Sequence, residues 1–243
     1  MRLLLLIVPL LLLPGCFRER FEPGRGGALE FKLSNGFWAD EFSPSTPLVE
    51  AGETQLVARS RAHSQVLHAV AQDPAVVRVL EAVVAAAKTE DGAVWRWLVR
   101  GVAPGRTVVE IRDGETVVDS VEVTVAPAAA LDWKVYDPDR ESRRSGDTLR
   151  LLPGENLEVD VLYTDAAGDR LAGVRACFVA LENTTLMQEP DPETPHACTA
   201  EVLYVGARGP IRFTGRAFGS TDVVLSTPDG KVRRTLRVKV GGP

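Results

Sequence analysis

The sequence predicts an all-β chain: two tandem β-sandwiches behind a short export segment. Three observations predict it. Apolar residues alternate at period two through most of residues 29–241. Gly and Pro turn clusters break these alternations at short intervals. The chain also repeats itself at a nearly fixed offset.

The repeat opens with ALEFKL at 28–33 and ALDWKV at 130–135. Leu29, Phe31 and Leu33 share one face of a strand, as do Leu131, Trp133 and Val135. A glycine turn follows each, at Gly52 and at Gly154, so the offset is 102 at both places. Later, Gly101 and Gly105 correspond to Gly215 and Gly219 at an offset of 114. Val109 and Ile111 then match Val223 and Leu225. Asp113-Gly114 and Asp229-Gly230 are hairpin-turn dipeptides, because both residues tolerate positive φ. Each copy closes on an alternating strand, with Val121, Val123 and Val125 inward in the first and Leu236, Val238 and Val240 inward in the second. The offsets differ by 12, so the second copy carries about a dozen extra residues. The acid- and Pro-rich stretch LMQEPDPETPHAC, 186–198, is where they fall.

Copies of about 100 residues with short alternating strands are the pattern of an immunoglobulin-like β-sandwich. The first domain is set at 29–126, a small-residue linker at 127–129 and the second domain at 130–241. Phe31, Val57 and Ile111 are expected in the first core, and Trp133, Tyr163 and Phe178 in the second. One stretch conflicts. DPAVVRVLEAVVAAAK, 73–88, has Asp at an N-cap position, Pro after it and apolar residues at helical spacing. As a sandwich element it reads as a strand from Pro74 to Leu80, with room for a helical turn in the Ala-rich tail.

At the N-terminus, Arg2 precedes an unbroken apolar run from Leu3 to Leu13. As a helix the run would span roughly 17 Å, against about 30 Å of hydrocarbon, which suits a signal peptide and not a membrane span. Its end, Leu13-Pro14-Gly15-Cys16, resembles the bacterial lipobox. That resemblance implies cleavage after residue 15, lipid on Cys16, and anchoring by acyl chains at about 0.8 kcal/mol per buried CH₂. Phe17 follows the cysteine, with no Asp there, which implies an outer-membrane destination in a proteobacterial cell. Residues 16–28, charged and Gly-rich beyond the cysteine, read as a lipidated tether.

With Cys16 lipidated, Cys177 and Cys198 remain as an even pair in an oxidising compartment, and a disulfide is expected between them. It would close a loop of about 22 residues and contribute roughly 3 kcal/mol. It would also clamp the inserted stretch. The net charge of −5 leaves no basic footprint for nucleic acid.

Gly52-Glu53-Thr54, Asp73-Pro74-Ala75-Val76, Gly101 to Gly105 with Pro104, and Val121 to Val125 together resemble bacterial Ig-like domains of the group 2 type. The second copy is looser, with Phe218 where the first has Pro104. The resemblance implies a fold and a cell-envelope setting, often adhesion or spacing. Its motifs are structural, so it brings no functional residues.

No catalytic constellation stands out. His63, His68 and His196 belong to no metal motif. Glu189, Asp191 and Glu193 offer oxygen atoms for calcium, but the intervening prolines stiffen their spacing and they read as solvated acids. No metal or other cofactor is expected. Trp95 and Trp97 share a strand face and read as core. RESRRSGD, 140–147, reads as a solvated loop. The function expected is therefore non-enzymatic: a lipid-anchored envelope protein whose sandwiches bind, adhere or space. Its partners would be the membrane, through the lipid, and a protein or glycan. A periplasm-facing accessory of a larger envelope complex is the alternative, and the choice between surface and periplasm stays open.

Overall fold

A computed structural model describes residues 21–35, 41–60, 62, 66–89, 92–173, 177–180, 186–187, 203–204, 211–215 and 218–241. In chain order the first half gives β1 (Glu22–Pro23), β2 (Glu30–Ser34), β3 (Glu41–Phe42), β4 (Leu48–Val49), β5 (Glu53–Ser60) and β6 (His68–Ala71). It continues with β7 (Val77–Thr89), β8 (Gly92–Gly101), β9 (Gly105–Asp113) and β10 (Thr116–Ala126). The second half gives β11 (Ala130–Val135), β12 (Arg144–Ser145), β13 (Thr148–Leu151), β14 (Asn156–Thr164), β15 (Arg170–Leu171) and β16 (Cys177–Ala180). Then come β17 (Leu186–Met187), β18 (Leu203–Tyr204), β19 (Ile211–Gly215), β20 (Gly219–Ser226) and β21 (Arg233–Val240).

These strands form four sheets, two to a sandwich. The first sheet runs β1-β2-β5-β8-β7, with β3 also on β2, and the second runs β4-β10-β9-β6. The third runs β11-β14-β19-β17, with β15 also on β14, and the fourth runs β12-β13-β21-β20-β16-β18. The two halves pair alike. β4 lies parallel to β10 as β13 lies parallel to β21, and β6 pairs β9 as β16 pairs β20. β7 pairs β8 as β17 pairs β19. The architecture is therefore all-β, two tandem Ig-like sandwiches.

Alternation fills each core as the sequence implies. β8 buries Ala93, Trp95, Trp97 and Val99 on one face, so the tryptophan pair is core. Phe31 and Ile111 pack with them. Val57 is buried, but on the opposite side of β5 from the core-facing Leu56 and Ala58. In the second sandwich Trp133 and Tyr163 pack with Leu149, Leu157 and Phe213. Phe178 is described only by its backbone, in β16.

Three expectations change. In the 73–88 stretch the strand starts at Val77, later than Pro74, and the Ala-rich tail forms no helical turn: Asp73 opens a single tight turn, its carboxylate accepting from Ala75 N–H and its carbonyl from the N–H groups of Val76 and Val77. The chain then enters β7 and stays extended to Thr89, with register shifts along its pairing with β8. Asp73 does the work of an N-cap, but pairing along a neighbouring strand outweighs a helical propensity of a few tenths of a kcal/mol per residue.

The glycine turns align one residue away from the sequence match. Ala51 N–H donates to the Gly101 carbonyl at 2.9 Å, and Gly154 N–H donates to the Gly215 carbonyl at 2.8 Å. Gly52 N–H reaches the Val49 carbonyl as Glu155 N–H reaches the Leu152 carbonyl. The true offset here is 103, and Ala51, at φ 60°, occupies the left-handed position that Gly154 fills at φ 79°.

The tether is shorter than its composition suggests. Within the expected tether, β1 pairs with β2, and the buried Asp119 carboxylate accepts from Gly26 N–H at 2.7 Å, beside Leu29 N–H, also at 2.7 Å. Residues 21–28 therefore belong to the first sandwich. Glycines let the chain pass this carboxylate: a Cβ on Gly24 would lie 2.5 Å from its oxygens.

Candidate functional site

The junction between the sandwiches is the most heavily built feature outside the cores. β4 carries it. One edge of this two-residue strand pairs with β10. The other forms a parallel bridge, Leu48 with Ala172, in which Val49 N–H donates to the Ala172 carbonyl and Ala172 N–H to the Pro47 carbonyl, both at 2.8 Å. Side chains cross as well. Val49 packs into the second core, and Ala172 packs into the first.

A polar bond lies beside this exchange. Asn35, at the end of β2, accepts from Gly173 N–H at 3.0 Å on its Oδ1, and Thr54 Oγ1 lies 3.1 Å from the same oxygen. Gly173 sits at φ 106°, and a Cβ there would come within 2.7 Å of Leu48 Cδ1. No other residue fits. At the rim, the Arg170 guanidinium lies over the Phe42 ring at 5.1 Å. Lys231 Nζ reaches Glu50 at 2.9 Å and Asp229 at 3.1 Å. The hydrogen bond to Glu50, then that to Asp229, raises the Lys231 pKa. Burial pushes Asp229 up, but the Thr227 hydroxyl, the Lys231 N–H and the Lys231 ammonium outweigh it and leave its pKa lowered. This rim pair is solvent-screened and adds little stability. The buried backbone bonds and exchanged side chains fix the joint.

Residues 140–147 are largely exposed, as a solvated loop would be, but they are tied down by ion pairs. A 3₁₀ turn, Pro138–Arg143, places Arg140 and Arg143 on Glu155, at 3.6 and 3.3 Å. Arg144 lies over the Trp133 ring at 4.5 Å and binds Asp132 at 3.0 Å, while Asp147 pairs with Arg234 at 2.7 Å. Of these arginines Arg144 lies against the core, over the buried Trp133.

Most of the remaining sequence-selected residues lie outside what the structure describes. Leu13, Pro14, Gly15 and Cys16 lie outside the described residues, as do His63, Glu189, Asp191, Glu193, His196 and Cys198. Cys177 is described by its backbone, paired with Tyr204 and Ser226. His68 is exposed on β6, opposite Arg112. Among the described residues no group of three or more His, Cys, Asp or Glu is placed to hold a metal. Sequence reasoning missed the junction: Asn35 and Leu171-Ala172-Gly173 carry no motif, and their partners lie more than a hundred positions away.

No family model matches the chain, and no curated protein sequence matches it. Solved structures do align. Domains 5–6 of the S-layer protein SbsC align at 13% identity over 82% of this chain and 95% of that one, with a TM-score of 0.31. The Yersinia pseudotuberculosis adhesin InvE aligns at 10% identity over 94% of this chain and 62% of that one, with a TM-score of 0.32. The Escherichia coli adhesin FdeC aligns at 12% identity over 91% and 66%, with a TM-score of 0.31. These neighbours are adhesins and an S-layer protein. At such identities and scores they carry no functional inference to this chain.

Proposed function

We propose that this chain is a non-enzymatic, lipid-anchored protein of the outer membrane whose joined Ig-like pair serves as a spacer and binding module. In this reading residues 1–15 are removed, Cys16 carries the lipid, and the two displayed domains are 29–126, with residues 21–28 folded onto it, and 130–241. A Cys177–Cys198 disulfide clamps the 186–198 insertion, which meets a protein or glycan partner. The supporting observation is the junction, where each core takes a side chain from the other sandwich. A spacer transmits position only if its joints are stiff, and a joint of backbone hydrogen bonds and exchanged core residues is stiff.

Protease shaving of intact cells, with lysed cells as control and detection of the C-terminal domain, tests the display. Loss of signal on intact cells supports a surface module. Protection until lysis overturns surface display in favour of a periplasmic accessory. A Cys16→Ala variant that still fractionates with membranes would sink the lipid anchor. An intact mass showing both thiols alkylated without prior reduction would sink the disulfide.

A further inference from the structure

The folded body begins very close to the anchor. From Phe21 onward the chain is held: β1 pairs with β2, Glu22 accepts a hydrogen bond from Ser43, and the Asp119 carboxylate grips the turn behind it. The Phe21 ring has Lys32 Nζ at 4.5 Å and the Arg59 guanidinium at 4.0 Å from its centre. Lys32 and Arg59 alternate with Phe31, Leu33 and Ala58, which face the core. Phe21 therefore lies on the outer face of the first sheet.

Cys16 is five residues before Phe21. Five extended steps reach at most about 18 Å. Two packed sheets lie about 10 Å apart, and their outward side chains make the sandwich thicker than this leash. The leash starts on the first sheet's outer side, so it cannot let the second sheet's outer side face the lipid. The near face also has suitable chemistry. Its outward positions include Lys32, Arg59, Arg78, Arg96 and Arg100, against Glu30, Glu41 and Glu53; Lys32 is buried and pairs with Glu41, Arg59 pairs with Glu30 and Arg100 with Glu53, while Arg78 is exposed.

We propose that the outer face of the first sheet lies against the lipid headgroup layer, with the exposed Arg78 turned to headgroup phosphates. This rests on the lipid-anchor reading. Adhesive contacts would then fall to the second sheet's outer face and to the second sandwich.

The test uses the full lipidated chain in phosphatidylcholine vesicles that carry a headgroup nitroxide. A fluorescent amino acid replaces Arg78, at the far edge of the first sheet, or Val70, exposed on the outer face of the second. Quenching at position 78 should exceed that at 70 by at least about threefold, since quenching falls steeply over the width of a sandwich. Equal quenching, or more at 70, on protein whose mass shows lipid on Cys16 would overturn the proposal. A mass without lipid would instead overturn the anchor reading, and this inference with it. Inserting about 20 Gly/Ser residues between Arg20 and Phe21 should lower the contrast by at least half while membrane binding persists. An unchanged contrast would overturn the leash as its cause.

Discussion

The two sandwiches use one pairing scheme with different connections, and their turns show how. Where β9 meets β10, Asp113 pairs with Thr116 and the loop is only Gly114 and Glu115, with Gly114 at φ 58°. Where β20 meets β21, Ser226 pairs with Arg233 across a six-residue loop. There the buried Thr227 accepts from Val232 N–H at 3.1 Å and binds the Asp229 carboxylate. The same Asp-Gly dipeptide thus serves two loop geometries. What the copies share is the set of places where backbones approach: Gly101 against the Val49 carbonyl, and Gly215 against the Leu152 carbonyl.

The largest break in this symmetry should come from Trp97→Ala, which empties the first core and costs about 3–5 kcal/mol. Chemical denaturation with limited proteolysis should show the second sandwich weakened too, because it draws Val49 from the first. Next are Gly101→Ala and Gly215→Ala. The added Cβ would meet backbone oxygens at 2.8 and 2.6 Å, so each should cost about 2–3 kcal/mol. Thermal denaturation that finds one tolerated and the other not would end the claim that these sites are equivalent. Asn35→Ala orphans the buried Gly173 N–H and should cost about 1–3 kcal/mol. Its diagnostic sign is the splitting of one unfolding transition into two.

Smaller effects sharpen the turn comparison. Ala51→Gly should stabilise by up to about 1 kcal/mol, because it relieves a left-handed alanine, while Gly154→Ala should destabilise by about the same. Urea midpoints moving in the same direction for both would contradict the 103-residue register. The smallest effect is at Asp229. Its lowered pKa contributes stability that is full above the ordinary value of 3.8 and is lost as pH falls through the lower folded value. Asp229→Asn should remove that acid slope from a stability profile, lowering the neutral region slightly and converging with the unaltered protein at low pH.

Much of the architecture was legible because alternation at period two leaves a direct trace: every inward valine of β10 and β21 named from sequence is buried. The one-residue slip at Gly52 was not legible. Glycine identity suggested one register, while hydrogen bonding at Ala51 set another. The strand reading of 73–88 holds from Val77, but its extension through the Ala-rich tail to Thr89 was not legible, because local propensity there points to helix and only pairing with the adjoining β8 settles it. The junction was invisible for a stronger reason. Its bond from Gly173 to Asn35 spans 138 positions, and nothing local at either end marks a partner.

The exchange of Val49 and Ala172 changes what the duplication can still do. Strings of sandwich domains usually lengthen by adding interchangeable beads, each complete by itself. Here neither bead is complete. Excised alone, each would carry a notch where its sister's side chain had been, and a third copy spliced between them would have to reproduce both halves of the weld. The pair has given up the freedom to grow at this seam.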